Sequence, residues 1–260
     1  MTLIAGVRCA NGVVIGADGA ATFAAYTQQT IRQPMHKLTV IRSKLIVGVS
    51  GPVGFSQRFA YHIEKAWDDR DFAGKDPVAT MEHIRRLLWD KVIGPETQIA
   101  SMAKALHGGR AVQSATGMTL LAMPVAGCAH LFEFDQQGSP EMASEDLLFK
   151  SIGSGQQTAD PFLAFLKRVF WRDHCPNIAE GTVAVLWALQ HAVHTSPGGV
   201  ADPIQISILE KKPSDWVARL LEDAELEEHR QDVASLESSL SDWWKRERGQ
   251  QATSDTDVPL

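Results

Sequence analysis

The sequence predicts an α+β fold, because strand-like and helix-like segments come in blocks instead of alternating one by one. Short apolar runs rich in β-branched residues form the strand blocks, and longer amphipathic segments form the helix pairs that follow them. The predicted strands lie at about residues 2–9, 12–18, 38–42, 44–50, 118–124, 128–134, 147–152 and 203–210. The predicted helices lie at about residues 53–67, 77–92, 156–171 and 178–195.

The first two strands form a predicted hairpin that begins directly behind the initiator methionine. Asn11-Gly12 separates the two apolar runs, and this dipeptide favours a tight β-turn. The first strand opens at Thr2 and the second ends at Asp18. If Met1 is removed, Thr2 carries a hydroxyl nucleophile and a free α-amine on one residue. The amine is then a base within reach of the hydroxyl that it must activate.

Further motifs follow in a fixed order along the chain. Lys37 precedes the short strand 38–42, and the next strand runs through Ser50 into Gly51 and a helix. A Gly153-Ser154-Gly155 turn follows strand 147–152, and the turn 196–199 precedes the last strand. Each motif alone is an ordinary turn or strand end. The order and spacing of the whole set is the informative feature.

This set, which runs from Thr2 to about Lys211, resembles the proteasome β-subunit family of N-terminal nucleophile hydrolases, including the bacterial HslV peptidase. The long C-terminal extension makes the chain most similar to the bacterial proteasome homologues called BPH or Anbu. The resemblance implies a four-layer αββα sandwich with two antiparallel sheets between helices. It also implies a threonine endopeptidase subunit that hydrolyses peptide bonds through a threonine acyl-enzyme. Such subunits form self-compartmentalised rings of identical copies.

The resemblance assigns five catalytic positions. Thr2 is the nucleophile, and Lys37 lies beside it as a cation that favours the neutral α-amine. Asp18 holds Lys37 through a charge-assisted hydrogen bond and keeps it protonated. The backbone N–H of Gly51 is the oxyanion donor, and the hydroxyl of Ser154 bonds near the threonine amine.

Two of these positions have rivals, and one family position departs from the pattern. Lys44 is the alternative lysine, although it follows Arg42 and Ser43 in a predicted turn. The Ser154 hydroxyl could instead cap the helix that starts at Gln156. Many relatives carry an aspartate three residues before the serine of the Ser-Gly-Gly turn. This chain has Val193 or His194 there, depending on the alignment, and neither supplies a carboxylate.

The same resemblance places four apolar residues around the first substrate pocket. They are Ala21, Met35, Val49 and Val53. A charged substrate side chain would lose its hydration in such a pocket without gaining a partner. We therefore expect cleavage after medium or bulky apolar residues.

Composition and charge limit the classes of binding partner that the sequence predicts. The 260 residues carry a net charge of −6, so no basic surface predicts nucleic-acid binding. Three cysteines without metal-ligand spacing indicate free thiols, and we expect no metal and no cofactor. The sequence has neither a membrane span nor a signal peptide, which favours the cytoplasm. The expected partners are identical subunits and unfolded peptides or proteins, and docking of an ATP-dependent unfoldase stays open.

The domain prediction has three parts. Residues 1–212 form the peptidase-like domain, and 213–248 form a helical extension that starts at the Pro213-Ser214-Asp215 sequence. Residues 249–260 are polar and small, and are expected to be disordered. An apolar stripe along the extension is suited to packing on its own domain or on a neighbouring subunit. The stripe consists of Val233, Leu236, Leu240 and Trp243.

Two other functions fit parts of this pattern. A structural ring subunit would keep the fold but retain Met1, and would have no N-terminal nucleophile. An N-terminal nucleophile amidohydrolase would use the same Thr2 chemistry on small amides. A free N-terminal threonine separates the first alternative from the peptidase, and turnover of peptides against small amides separates the second.

Overall fold

A computed structural model of the protein describes residues 2–24, 30–106, 116–195 and 200–254, with side chains described within 2–20, 35–106, 116–195 and 200–248. The chain divides into two compact units, Met1–Leu221 and Glu222–Leu260. The first unit is built on two five-stranded antiparallel sheets, and helices follow each block of strands. The predicted α+β class is confirmed.

The first sheet contains the predicted N-terminal hairpin at its centre. In spatial order its strands are β10 (Phe149–Ile152), β1 (Ile4–Cys9), β2 (Gly12–Ala17), β11 (Gln205–Lys211) and β12 (Trp216–Leu220). Cys9 pairs with Gly12 across the turn, as the Asn-Gly dipeptide predicts. Because β1 and β2 are antiparallel neighbours, the residues that precede β1 face the residues that follow β2.

The second sheet and a separate hairpin hold the remaining strands. The second sheet contains β5 (Leu38–Ile41), β6 (Leu45–Ser50), β7 (Met118–Val125), β8 (Cys128–Phe134) and β9 (Pro140–Met142), in that order. The hairpin consists of β3 (Ala20–Ala24) and β4 (Thr30–Pro34), which were not predicted from the sequence. It occupies most of the polar stretch between Asp18 and Lys37.

Helices follow the strand blocks in sequence. They are α1 (Val53–Asp68), α2 (Pro77–Leu88), a π-helical turn (Trp89–Ile93), α3 (Gly94–Leu106), α4 (Gln156–Phe170), α5 (Ile178–Thr195) and α6 (Asp223–Ser254). The start of α2 shows the local chemistry, since Asp76 accepts a hydrogen bond from the Ala79 N–H at 2.8 Å and Pro77 needs no partner at the first helical position. None of the described helices has the length and hydropathy to cross a bilayer.

Two hydrophobic clusters fix the first unit. One cluster takes buried side chains from both five-stranded sheets, among them Ile4 and Ile46. The other lies between the second sheet and helices α1 and α2, and Val49 and Phe59 belong to it. Neighbouring residues of β6 thus serve different clusters, as the two-residue period of a strand requires. Helix α5 packs against β2 so closely that a Cβ on Gly16 would lie 2.5 Å from a methyl of Val185.

The predicted helix at 77–92 is longer and less regular than expected. The chain continues from α2 through the π-helical turn into α3, which ends at Leu106. Gly94 and Pro95 do not stop the helix, and the π-helical turn lies directly before them, with the Gly94 N–H donating to the Trp89 carbonyl. None of the residues of α3 is buried, so no core-facing stripe marked it in the sequence.

The extension predicted as helical over 213–248 is wrong in its first part. Residues Trp216–Leu220 form strand β12, which pairs with β11 at the edge of the first sheet. Lys212 N–H donates to the carbonyl of Asp215 at 2.8 Å, so the Pro213-Ser214-Asp215 sequence is a hairpin turn and not a helix start. Helix α6 begins at Asp223, in the second unit.

The C-terminal end of α6 also differs from the expectation. The helix continues to Ser254, so residues 249–254 are helical where disorder was predicted. Residues 255–260, which were predicted to be disordered as well, lie outside the described residues.

Candidate active site

The hairpin β1–β2 brings Thr2 and Asp18 to the same edge of the first sheet. Ile4 pairs with Ala17, so Leu3 lies opposite Asp18. The Asp18 N–H donates to the Leu3 carbonyl at 3.1 Å, and the Leu3 N–H donates to Asp18 Oδ1 at 2.8 Å. A carboxylate is thereby fixed one residue from the proposed nucleophile.

The Asp18 side chain is fully buried and accepts hydrogen bonds on both oxygens. Oδ1 takes the Leu3 N–H and the ammonium of Lys37, whose Nζ lies 2.5 Å away. Oδ2 takes the N–H groups of Ala20 at 3.3 Å and Ala201 at 3.4 Å. A buried carboxylate without such donors would be expensive to ionise, and four donors make the ionised form tolerable. Asp18 therefore joins the start of β1, the Lys37 side chain and the chain entering β11.

Lys37 lies between β4 and β5, and only 6% of its side chain is exposed. Burial lowers the pKa of its ammonium below the ordinary lysine value, because the charged form loses hydration. The hydrogen bond and the negative charge of Asp18 raise this pKa, but they offset only part of the effect of burial. Asp18 thus favours the charged form of Lys37, while burial is the larger influence on the pKa.

The Gly153-Ser154-Gly155 turn passes directly over Thr2. Strand β10 pairs with β1, so the turn that follows β10 reaches the start of β1. The Thr2 N–H donates to Ser154 Oγ at 3.2 Å, and the Gly155 N–H donates to the Thr2 carbonyl at 3.2 Å. Gly153 has a φ of +95°, and a Cβ there would lie 2.3 Å from the Thr2 carbonyl oxygen. Only glycine fits this position.

The end of β6 lies beside the same turn. Ser50 Oγ would be 2.9 Å from a Cβ placed on Gly153, and Gly51 is the next residue along the chain. A Cβ on Gly51 would itself lie 2.7 Å from the Cα of Gly117, so the backbone is closely packed there. Helix α1 starts two residues later, and the positive end of its dipole therefore lies close to Gly51.

The structure separates the rival assignments for Lys44 and Ser154. Lys44 Nζ donates to Asp215 Oδ2 at 2.5 Å and to the Trp216 carbonyl at 2.7 Å, so Lys44 is engaged at the β11–β12 turn and not at Asp18. The residue at the cap of α4 is Gly155, and no side chain caps that helix. The Ser154 hydroxyl contacts Thr2 instead of serving as a helix cap.

At the position where many proteasome-like proteins carry an aspartate before the Ser-Gly-Gly turn, this chain has no carboxylate. Val193 and His194 lie in the last turn of α5, and His194 is exposed. Residues 196–199, where a turn was predicted, lie outside the described residues. The described chain resumes at Val200, and the next residue, Ala201, donates its N–H to Asp18 and accepts the Gly19 N–H on its carbonyl at 2.8 Å.

The four predicted pocket residues have different settings. Val49 is 7% exposed and belongs to the cluster between the second sheet and helices α1 and α2. Val53, in the first turn of α1, is 37% exposed, and Met35 is half-buried. Ala21 lies in β3, and its side chain is not among the described ones. Their common role as a substrate pocket stays a prediction.

Sequence reasoning missed Gln205, the first residue of β11. Its side-chain carbonyl accepts from the Lys37 N–H at 3.2 Å, and its amide nitrogen donates to the Met35 carbonyl at 2.8 Å. The only signal in the sequence was a glutamine at the start of the strand Gln205–Lys211, and the structure leaves it 8% exposed. Buried amides usually satisfy specific backbone groups.

Comparisons with known proteins agree with this geometry at the level of the fold. No family model matches the chain, and no curated protein matches its sequence. Among solved structures, the chain is similar to a Gly-1 mutant of Anbu from Hyphomicrobium sp. strain MC1, with a TM-score of 0.65 and 16% identity over 94% of this chain and 97% of the other. It is also similar to Anbu, described as an ancestral beta-subunit, from Yersinia bercovieri, with a TM-score of 0.60 and 15% identity over 92% and 96%. The chain therefore has the proteasome-like fold of the Anbu structures.

Proposed function

We propose that the chain is an N-terminal threonine endopeptidase and a subunit of a proteasome-like ring. The observation that carries this proposal is the buried Lys37–Asp18 pair, fixed by backbone hydrogen bonds to the residue next to Thr2. A buried ion pair costs hydration, so its place beside a potential nucleophile supports a catalytic role.

The proposed reaction uses Thr2 after Met1 has been removed. The free α-amine then occupies the position of the present Thr2 N–H, within 3.2 Å of Ser154 Oγ. Positive charge on Lys37 disfavours a second ammonium nearby, which leaves the α-amine neutral and able to take the hydroxyl proton. Thr2 Oγ1 attacks the peptide carbonyl, and the Gly51 N–H stabilises the resulting oxyanion.

The tetrahedral intermediate collapses when the peptide nitrogen takes up the proton from the α-ammonium and leaves. The carbonyl carbon stays bound to Thr2 Oγ1 as an ester. Water then attacks this ester, the amine removes the water proton, and the hydroxyl of Thr2 is restored. In this proposal the turn at Ser154 holds the Thr2 amine, and the backbone near Gly51 holds the substrate oxygen, during both steps.

The substrates proposed for this site are unfolded peptides with apolar side chains before the cut. Met35 and Val53 are partly exposed and lie within two residues of Lys37 and Gly51 in the chain, and Ala21 and Val49 complete the pocket in this proposal. A library in which cleavage is strongest after arginine or aspartate would contradict the pocket assignment and leave the nucleophile untouched.

The ring proposal rests on the fold and on helix α6. The contacts of α1 and α2 with the second sheet, and of α4 and α5 with the first, fit the four-layer αββα sandwich expected for such subunits. On α6, Leu240 and Trp243 are 49% and 52% exposed, an apolar surface that a neighbouring identical subunit could cover. Identical copies close a ring through a heterologous interface when its rotation returns on itself.

One experiment tests nucleophile and base together. The purified protein is treated with a peptide epoxyketone, which needs both the hydroxyl and the free amine of an N-terminal threonine, and its intact mass is then measured. We expect loss of Met1 and one adduct on Thr2. Retention of Met1 without an adduct, in a protein that still assembles, would instead support the structural ring subunit.

Assembly is tested separately by light scattering. Leu240→Asp combined with Trp243→Asp is expected to reduce the particle size, while Ser239→Asp on the same helix serves as the control for added charge. A wild-type protein that runs as a monomer would remove the ring proposal. Equal particle sizes for all variants would remove α6 from the interface.

A further inference from the structure

The side chain of Gln205 binds the backbone of the segment that carries Lys37, as a neighbouring β-strand would. Residues 35–37 lie between β4 and β5 and belong to neither strand. In an extended segment the carbonyl of one residue and the N–H two residues later point to the same side. The Gln205 amide bonds both groups, the Met35 carbonyl at 2.8 Å and the Lys37 N–H at 3.2 Å. One side chain thus replaces a peptide unit of a neighbouring strand.

The base of this clamp is firmly placed. Gln205 opens β11 and pairs with Ala17, the residue directly before Asp18. The backbone of the clamp and the carboxylate that receives Lys37 are therefore set by the same pair of strands. On the other side, the Met35 N–H donates to the Gly19 carbonyl at 2.9 Å, so the segment is also tied to the residue after Asp18.

Lysine needs this control of its backbone more than most residues. Its four side-chain torsions are free in water, and fixing them costs up to about 2 kcal/mol of side-chain entropy. With Nζ held by Asp18 and the N–H held by Gln205, both ends of Lys37 are defined. Without the clamp, the Lys37 N–H would lose its partner, and the segment would be held only by the Met35 bond to Gly19 and by the pairing of Leu38 in β5.

We propose that Gln205 is a positioning residue for the reaction, in which its amide fixes the backbone of Lys37 and so sets the Lys37 ammonium on Asp18 beside Thr2. This proposal rests on the proposed peptidase function for its kinetic consequence. Its structural consequence, the restraint of Lys37, does not depend on that function.

The kinetic test compares Gln205→Met with wild-type protein. Methionine keeps the length and burial of the side chain but has neither the amide donor nor the carbonyl acceptor. We expect kcat for peptide cleavage to fall by up to about 10²-fold with little change in KM, since a small displacement of an aligned group can cost that much. Ser207→Ala is the matched control, because Ser207 is also buried on β11 and its hydroxyl has no hydrogen-bond partner among the described residues.

A second variant gives a pH signature that loss of packing would not produce. In Gln205→Glu the protonated acid can still donate to the Met35 carbonyl and accept from the Lys37 N–H. The ionised acid can only accept, and it places a negative charge against the Met35 carbonyl. The activity of Gln205→Glu relative to wild-type protein is therefore expected to rise as the pH falls, whereas the relative activity of Gln205→Met stays constant.

The decisive measurement does not need catalysis. Lysines are acetylated with limiting acetic anhydride, and the rate at Lys37 is measured by mass spectrometry against the rate at Lys44 in the same sample. We expect Lys37 to react several-fold faster in folded Gln205→Met than in wild-type protein or Ser207→Ala. An unchanged rate at Lys37 overturns the proposal, as does a Gln205→Met enzyme with wild-type kcat. If wild-type protein is inactive and its Thr2 is not labelled, the peptidase proposal fails, and the acetylation rates still decide the role of Gln205.

Discussion

Two lysine–aspartate pairs in this protein have the same length and opposite settings. Lys37 and Asp18 are joined at 2.5 Å with side-chain exposures of 6% and 0%, and Lys44 and Asp215 are joined at 2.5 Å with exposures of 26% and 60%. The distance alone does not distinguish the two pairs. Burial distinguishes them, because a buried charge loses its hydration at a cost in free energy, whereas an exposed charge keeps most of its hydration.

The two aspartates also differ in how many parts of the chain donate hydrogen bonds to them. Asp18 receives backbone N–H groups from three separate segments besides the Lys37 ammonium. Asp215 receives the N–H of its neighbour Trp216 and the Lys44 ammonium, and it lies in the turn between β11 and β12. The buried pair is built into the convergence of several strands, whereas the exposed pair fastens one turn. We therefore propose a catalytic role for the first pair and local stabilisation for the second.

The largest expected effect comes from the residue that the buried pair is proposed to serve. Thr2→Ala leaves both ion pairs intact and removes the only proposed nucleophile, so kcat/KM for peptide cleavage should fall by several orders of magnitude. Thr2→Ser keeps a hydroxyl and should retain measurable activity. Cleavage by Thr2→Ala at a rate near that of wild-type protein would show that the buried pair serves no nucleophile at this position.

The comparison itself is tested by removing each lysine in turn. Lys37→Met should lower kcat by at least about 10²-fold, the scale of a lost acid–base or electrostatic group. Lys44→Met should leave kcat within a small factor of the wild-type value, because its contacts lie at the β11–β12 turn. Both variants are assayed at one pH after circular dichroism has shown that they are folded. Equal losses in the two variants would contradict the division into a catalytic and a structural pair.

Much of this comparison was accessible from the sequence. The Asn11-Gly12 turn fixes the register of β1 and β2, and this register places Asp18 opposite Leu3. The strand that starts at Leu38 favoured Lys37 over Lys44, and the structure puts Lys37 on Asp18. The hairpin was predictable because its register is a local property of the chain. Lys37 was assigned through the family resemblance, and its catalytic role stays a prediction.

The two misses have different causes, a contact distant in sequence and a short local strand without a strand-like pattern. Gln205 reaches Lys37 across 168 residues, and no pattern near either residue specifies that bond. Strand β12 was read as a helix start because Pro213-Ser214-Asp215 resembles one. The residues Trp-Val-Ala-Arg-Leu show no strict alternation of apolar and polar types, so the burial of Trp216 and Ala218 between the partly exposed Val217 and Arg219 was visible only in the structure.

A smaller effect is expected on the titration of Lys37. Burial lowers the pKa of Lys37, and Asp18 raises it in partial compensation. Asp18→Asn removes the negative charge, so the pKa of Lys37 should fall further and the neutral amine should predominate from a lower pH. The pH dependence of Lys37 acetylation measures this shift. Asp215→Asn is the control and should leave the Lys37 profile in place, while a shift to higher pH in Asp18→Asn would contradict the assigned electrostatics.

The smallest effect is expected at the exposed pair, and it concerns stability alone. The hydrogen bond from Lys44 holds the pKa of the Asp215 carboxyl below its ordinary value. A carboxyl whose pKa is lower in the folded than in the unfolded chain stabilises the fold above the unfolded pKa, and this contribution is lost as the pH falls through the folded pKa. Asp215→Asn, which can still accept from the Trp216 N–H, should therefore unfold slightly more easily than wild-type protein at neutral pH. The difference should vanish in acid and shrink at high salt, since solvent and ions screen this pair. Denaturant unfolding across pH and salt checks both trends. A difference that persists unchanged in acid would show that Asp215 acts through its place in the turn and not through the charge of Lys44.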